Sequence, residues 1–335
     1  MKTNSNAIGV DIGYGYTKVC ADKLSKAFPS QVAKTRPRGA FDTHSDAIIV
    51  NDQSFIVGDD IDNIGDYSVS TEFIGTPEYL ALLGRALTMA KAPCDILVLG
   101  LPPSLYDEVR IEKLEKTISE TKYQTGSGNP LPVPGIIKFI PQGAGIYFDY
   151  IWNSPQRNAQ SKNGNTVVID LGHYTLDFVL FMEGRYNAGA ARSFPLGISK
   201  LLNSIKLDFA KTHGVFLNND DNVMKLIQEG SYNHFGRTYA LNIDLLMDEY
   251  MNHKLLKSIR NYASDLRESI HKSVDDVVIG GGGVHCIGQL MNQAIIIEDP
   301  QMSNARGYYQ YGRRQVEASA SIKTERPEPR ACAAA

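Results

Sequence analysis

Two near-copies of one short pattern, Asp11-Ile12-Gly13-Tyr14-Gly15-Tyr16-Thr17-Lys18 and Asp170-Leu171-Gly172-His173-Tyr174-Thr175-Leu176-Asp177, each follow an apolar run that reads as a buried strand. A strand that ends in Asp-x-Gly and turns straight back into a second strand presents several backbone N–H groups toward one point. Such a concavity holds anions, phosphate oxygens in particular. Glycine suits it by reaching positive φ and by letting a ligand approach the main chain. One such tripeptide is common in turns. Two of them, each behind an apolar strand, point to a chain built from two related halves.

The segments around the two patterns support that division. Ala7-Ile8-Gly9-Val10 opens the first half and Thr166-Val167-Val168-Ile169 the second. Strands are expected again at 47–50 and 54–58 around the turn Asn51-Asp52, at 95–99, at 136–140 and at 277–279. Helical spacing covers 78–91, stopping at Pro93, and then about 105–120, 197–211, 220–228 and 244–272. Strands alternating with helices give an α/β architecture. The polar stretch Asn153–Asn165 is the natural boundary, with one domain over 1–160 and the other over 161–301.

Two clasping turns facing each other would hold the β- and γ-phosphates of one nucleotide, with Asp11 and Asp170 reaching Mg²⁺ through its retained waters. Lys18, on the returning strand, is either a point charge for a phosphate or an exposed lysine on a hairpin. Gln142, just after a strand, either orients an attacking water or hydrogen-bonds at a helix N-terminus. The run Gly280–Gly283 either admits a purine or sugar close to the backbone or makes a strand-to-helix turn. His173 and His285 lack metal-ligand partners at useful spacing, so their side chains read as incidental.

Composition removes other classes. A formal charge of −3 in 335 residues gives no basic field for direct nucleic-acid binding. Four scattered cysteines without CxxC spacing read as reduced thiols in a cytosolic protein, and no apolar run reaches membrane-spanning length. Cys332-Ala333-Ala334-Ala335 fits a prenylation pattern, but the segment before it is not polybasic, and a frayed tail over 317–335 is the simpler reading.

The first pattern resembles the first phosphate loop of the actin-like ATPase superfamily, the second pattern its second phosphate loop, and Ile279-Gly280-Gly281-Gly282 its adenosine motif. Val57-Gly58, Gly100-Leu101-Pro102 with Tyr106, Pro141-Gln142 and Asn304-Ala305-Arg306-Gly307-Tyr308 are similar to segments of the ParM/StbA plasmid-segregation branch. The resemblance implies an actin-like fold of two related RNase H-like domains around a nucleotide cleft, with a helix near 302–316 returning to the first domain. It also implies ATP-dependent polymerisation and hydrolysis, a DNA-binding adaptor as partner, and ATP or GTP with Mg²⁺ as ligand. By position it makes Gln142 the residue that orients the hydrolytic water, with Asp170 and Asp11 as carboxylates near the metal. Nucleotide contacts then fall to Gly13, Tyr14, Gly15, Tyr16 and Lys18, to Gly172, His173 and Tyr174, and to Gly281, Gly282 and Gly283. Many relatives keep a second glycine where this chain has His173, so the turn must be made there without strain. A small-molecule kinase of the same superfamily and a scaffold filament are the alternatives.

Overall fold

The computed structural model describes residues 6–35, 46–58, 73–91, 94–155, 162–270, 273–287 and 294–324. Strand β1 (Ala7–Ile12) is buried at all six positions, as befits a strand inside a sheet covered on both faces. It pairs antiparallel with β2 (Tyr16–Ala21), which pairs antiparallel with β3 (Leu24–Pro29). The chain continues through β4 (Val32–Lys34), β5 (Ile48–Val50) and β6 (Gln53–Val57). Between β5 and β6, Asn51 and Asp52 sit at φ 45° and 68°, the positive pair that a two-residue I′ hairpin requires.

Helix α1 (Pro77–Ala90) starts with Thr76 accepting a hydrogen bond from the Tyr79 N–H and ends at Lys91, which takes φ 52°. Pro93, the stop expected from sequence, lies outside the described residues. Next come β7 (Ile96–Leu101), α2 (Glu108–Glu120, capped by Asp107), β8 (Tyr123–Thr125) and β9 (Ile136–Pro141). The main sheet runs β3-β2-β1-β7-β9, with β7 parallel to β1, and a smaller sheet runs β4-β6-β5-β8.

The second unit opens with α3 (Ala144–Asn153) and continues through β10 (Thr166–Leu171), β11 (Leu176–Met182) and β12 (Arg185–Phe194). Helices α4 (Ser199–His213) and α5 (Asp220–Glu229) precede a hairpin of β13 (Ser231–His234) and β14 (Arg237–Ala240). Helix α6 (Asp244–Asp248) leads through a π-helical stretch, Glu249–Leu255, into α7 (Leu256–Ile270). The single helix expected over 244–272 is thus interrupted by wider turns, within which Tyr250, Met251 and Leu255 are all buried. Strand β15 (Asp276–Gly280), the short α8 (Val284–Ile287) and β16 (Ile295–Ile296) complete a sheet in the order β12-β11-β10-β15-β16.

The two main sheets have one topology. In each, the strand that ends in Asp-x-Gly lies at the centre, antiparallel to the strand that follows it and parallel to a later one. Each unit buries its own apolar core, one around Val10, Phe55, Leu83 and Leu99 and the other around Ile169, Phe178, Ile205 and Phe209.

The boundary differs from the one read off the sequence. One unit takes the chain up to Leu101, Tyr106–Ile140 and Ala305 onward, and the other takes Pro102–Leu105 and Pro141–Asn304. Helix α3 therefore belongs to the second unit rather than to the first. Its ring of Tyr147 stacks on Phe181 of β11 at 3.7 Å, and Ile146 lies against Gly280 of β15. That apolar contact outweighs the polar stretch 153–165, of which 156–161 fall outside the described residues. Helix α9 (Ser303–Thr324) packs on β1 so closely that a Cβ on Gly9 would collide with the Ala305 carbonyl and the Tyr309 amide. It continues past Glu317, where composition alone suggests a frayed tail. Residues 325–335, with the prenylation-like ending, lie outside the described residues.

Candidate functional site

In the first unit Asp11 is buried near the end of β1 and sits opposite Lys18 of β2 in the ladder. Lys18 Nζ lies 3.0 Å from Asp11 Oδ2, with both side chains largely out of solvent. Lys18 is therefore not the exposed hairpin lysine of the simpler reading but half of an internal ion pair. The turn closes with the Gly13 N–H donating to the Tyr16 carbonyl at 3.2 Å. Ser30 grips it from behind, its hydroxyl donating to the Gly13 carbonyl at 2.6 Å and its N–H to the Gly15 carbonyl at 2.9 Å. A planar trans peptide points its N–H opposite to its C=O. The amides of Tyr14 and Tyr16 are thereby turned to the side away from Ser30.

The second turn repeats this construction with different parts. The Gly172 N–H donates to the Thr175 carbonyl at 2.9 Å. The carbonyls of Gly172, His173 and Tyr174 accept from the N–H groups of Ile198, Ser199 and Gly197 at 3.1, 2.8 and 2.8 Å. All three carbonyls thus face the entry to α4, and peptide planarity turns the amides of His173, Tyr174 and Thr175 the other way. Gly197 fits against this backbone only because it has no side chain, since a Cβ would run into the His173 carbonyl.

Glycine is not used in these turns as the sequence suggests. Gly13, Gly15 and Gly172 all keep negative or extended φ, and so do His173 and Tyr174. The missing second glycine is therefore no obstacle, because the turn needs no left-handed residue there. In the glycine run, Gly281 alone takes positive φ, 94°, and a Cβ on it would strike the Leu171 carbonyl and approach Asp170 Oδ1. The run does make the strand-to-helix turn between β15 and α8, and the Gly283 N–H donates to the Leu171 carbonyl at 2.9 Å. It packs the end of β15 onto the end of β10, beside Asp170.

Asp170 is buried, and its Oδ2 accepts from Asn304 Nδ2 at 2.7 Å. The amide oxygen of the same Asn304 accepts from the Gly143 N–H at 3.1 Å. Asn304 therefore ties the second turn to the Gln142-Gly143 corner, where Gly143 takes φ 85° as the N-cap of α3. Sequence reading uses Asn304 only as part of a motif and assigns it no role. Its signal was the choice of an amide, able to donate and accept at once, just inside a helix start.

Asp177, the last residue of the second pattern, carries no assigned role from sequence. It lies directly opposite Asp170 across the β10–β11 ladder and is almost fully buried. Burial pushes its carboxyl up to about 6, against hydrogen bonding from Ser193 and Thr175, the Thr175 hydroxyl donating to Oδ2 at 2.7 Å. Its Oδ1 has no hydrogen-bond partner within bonding geometry. The side chain of His173, expected to be incidental, has its Nε2 3.3 Å from Asp220 Oδ2. The Asp11 turn, with Lys18, belongs to the first unit, whereas Gln142, Asp170, the 172–174 turn and Gly281–Gly283 belong to the second.

Among the described residues, no three His, Cys, Asp or Glu side chains gather into a metal-binding group. Phosphate oxygens and a hydrated cation fit the chemistry of each turn taken by itself, which combines oriented amides with a buried carboxylate, Asp11 in one and Asp170 in the other.

A family model described as the N-terminal domain of actin-like proteins matches residues 9–145. Among solved structures, the archaeal actin homolog Ta0583 superposes with TM-score 0.71 at 20% identity, over 92% of this chain and 99% of its own. The fold is actin-like. The subunit of a 15-stranded ParM filament from Clostridium botulinum matches with TM-score 0.70 at 23% identity, over 93% of this chain and 100% of that one. Ta0583 has also been crystallised with ADP, and that complex matches equally well. No curated protein matches in sequence. The matched span of the family model takes in the first turn and reaches Gln142, while the actin-like fold extends through the second turn and α9. Among the described residues no helix is long and apolar enough to cross a membrane.

Proposed function

We propose that this chain is a cytosolic ATPase that binds Mg-ATP through its two Asp-x-Gly turns, assembles head to tail into filaments and hydrolyses the nucleotide in the filament. The observation that carries the reading is the duplicated turn. In both copies the carbonyls are held from behind, which aims a set of amides at the opposite side before any ligand arrives. Amides held in this way stabilise phosphate charge with little reorganisation.

Asp11 and Asp170 are the carboxylates that would hold Mg²⁺ through water, and the cation would neutralise charge on the β- and γ-oxygens. Lys18 holds Asp11 in place and contributes positive charge beside the first turn. Gln142 orients the attacking water, and Asn304 keeps Asp170 and the Gln142 corner in register. GTP is the alternative nucleotide. Filaments follow from contacts between unlike faces of successive copies that do not close into a ring. The ParM filament supports this reading by shared fold. In keeping with the ParM-like motifs, the filament would move plasmid DNA through a DNA-binding adaptor, since the chain's net charge of −3 does not favour direct contact.

Phosphate release and light scattering, followed together across protein concentrations with ATP and Mg²⁺, test the proposal. Scattering should rise above a critical concentration and turnover with it. Gln142→Ala should still scatter with ATP while releasing phosphate at least about tenfold more slowly. Turnover proportional to protein at all concentrations, with no scattering, would favour a monomeric kinase. Unchanged release by Gln142→Ala would remove that residue from the mechanism.

A further inference from the structure

The second turn is tied to more than its own sheet. The imidazole of His173, in the second turn, reaches Asp220, the first residue of α5. The other carboxylate oxygen of Asp220 is 2.6 Å from Lys206 Nζ on α4. Asp220 is therefore held from two sides, by Lys206 and by its place at a helix N-terminus, where a negative charge is favoured. The backbone of the same turn is fixed to α4 independently, through the three hydrogen bonds from Gly197, Ile198 and Ser199.

We propose that Asp220 is a positioning residue for the second turn: clamped by Lys206, it holds the His173 side chain and makes phosphate occupancy of the turn felt at helix α5. A shift of residues 172–174 that lengthens the 3.3 Å His173–Asp220 contact strains it or draws α5 after it. The two states of the turn then correspond to two states of the α4–α5 corner. This rests on the nucleotide reading given above and adds a route by which the bound state leaves the site.

The test is hydrogen exchange on the full chain, with and without saturating ATP and Mg²⁺, alongside ATP affinity from a fluorescent analogue. In the native chain ATP should slow exchange of the α5 amides. Asp220→Ala should abolish that nucleotide-dependent difference and weaken ATP binding about three- to fivefold, the usual size of coupling between contacting residues. Adding His173→Ala to Asp220→Ala should cost little more, since both remove one contact. Asp220→Asn keeps an acceptor for the imidazole but turns a donor toward Lys206, and should restore the difference only in part. It also guards against Asp220→Ala merely loosening α5, which would raise exchange equally with and without ATP. ATP that binds the native chain but leaves α5 exchange unchanged overturns the inference alone. Failure of the native chain to bind ATP or GTP removes the nucleotide reading itself.

Discussion

Replacing Asp177 with Asn removes a carboxylate that burial holds well above its ordinary titration range. The group moves from 3.8 to about 6, chiefly through burial. The folded state thus holds this proton more tightly than the unfolded chain does. Its contribution to stability is complete below pH 3.8 and is lost as pH rises through about 6. The difference of about 2.2 units corresponds to roughly 3 kcal/mol across the full window. Of this, about 1 kcal/mol is already gone at pH 4.5, which leaves about 2 kcal/mol to be lost between pH 4.5 and pH 8. Asn cannot titrate, so the stability of Asp177→Asn relative to the native chain should improve by about 2 kcal/mol over that interval. Titrating groups that do not interact with Asp177 are common to both proteins and cancel in the difference. Denaturant unfolding of the two proteins at half-unit pH steps measures it directly. A difference constant to within about 0.5 kcal/mol from pH 4.5 to 8 would show that the carboxyl is hydrated or paired, and the burial argument would fail.

Lys18→Met should destabilise the first unit by about 3 kcal/mol, because it strands the buried Asp11 carboxylate, and Asp11→Asn on that background should recover much of the loss in thermal melts. Gly9→Ala should lower the melting temperature by several degrees through its collision with α9, at a cost of about 1–3 kcal/mol, whereas Gly128→Ala, where a Cβ meets nothing, should cost less despite its φ of 82°. Asn304→Leu fills the same space but leaves both Asp170 Oδ2 and the Gly143 amide without their partner. Phosphate release should fall more steeply than ATP affinity, and equal losses in both would argue against a role in placing the Gln142 corner.

The parts of this molecule that show in its sequence are those governed by short-range rules. Both Asp-x-Gly turns, the strands that feed them and the Asn51-Asp52 hairpin follow from apolar runs and turn residues. The hidden parts depend on distant partners. Nothing local says that α3 belongs with the second sheet, because Tyr147 is apolar toward any core until Phe181 supplies the ring it stacks on. The β13–β14 hairpin goes unread because its strands are short and polar and turn through Phe235-Gly236, where an aromatic takes φ 47° in place of the usual Asn or Asp. The candidate site shows the same split. The carboxylates and amides of the turns are legible, but the carbonyl grips from Ser30 and from the α4 entry, and the Asn304 bridge, are set by the fold. The glycines mislead in part, since most of those turns use their small size rather than their freedom of φ.

The closeness of Gly9 to α9 fixes an order of events during synthesis. Strand β1 leaves the ribosome long before the helix that covers one of its faces. The second unit, contiguous from Pro141 to Asn304 apart from Pro102–Leu105, is complete once the first two residues of that helix are made. At about 5–20 residues per second the β1 face waits of order ten seconds or more for its cover. A chain truncated after Asn304 and released should therefore show a protease-resistant second unit and an N-terminal sheet that chaperones still recognise.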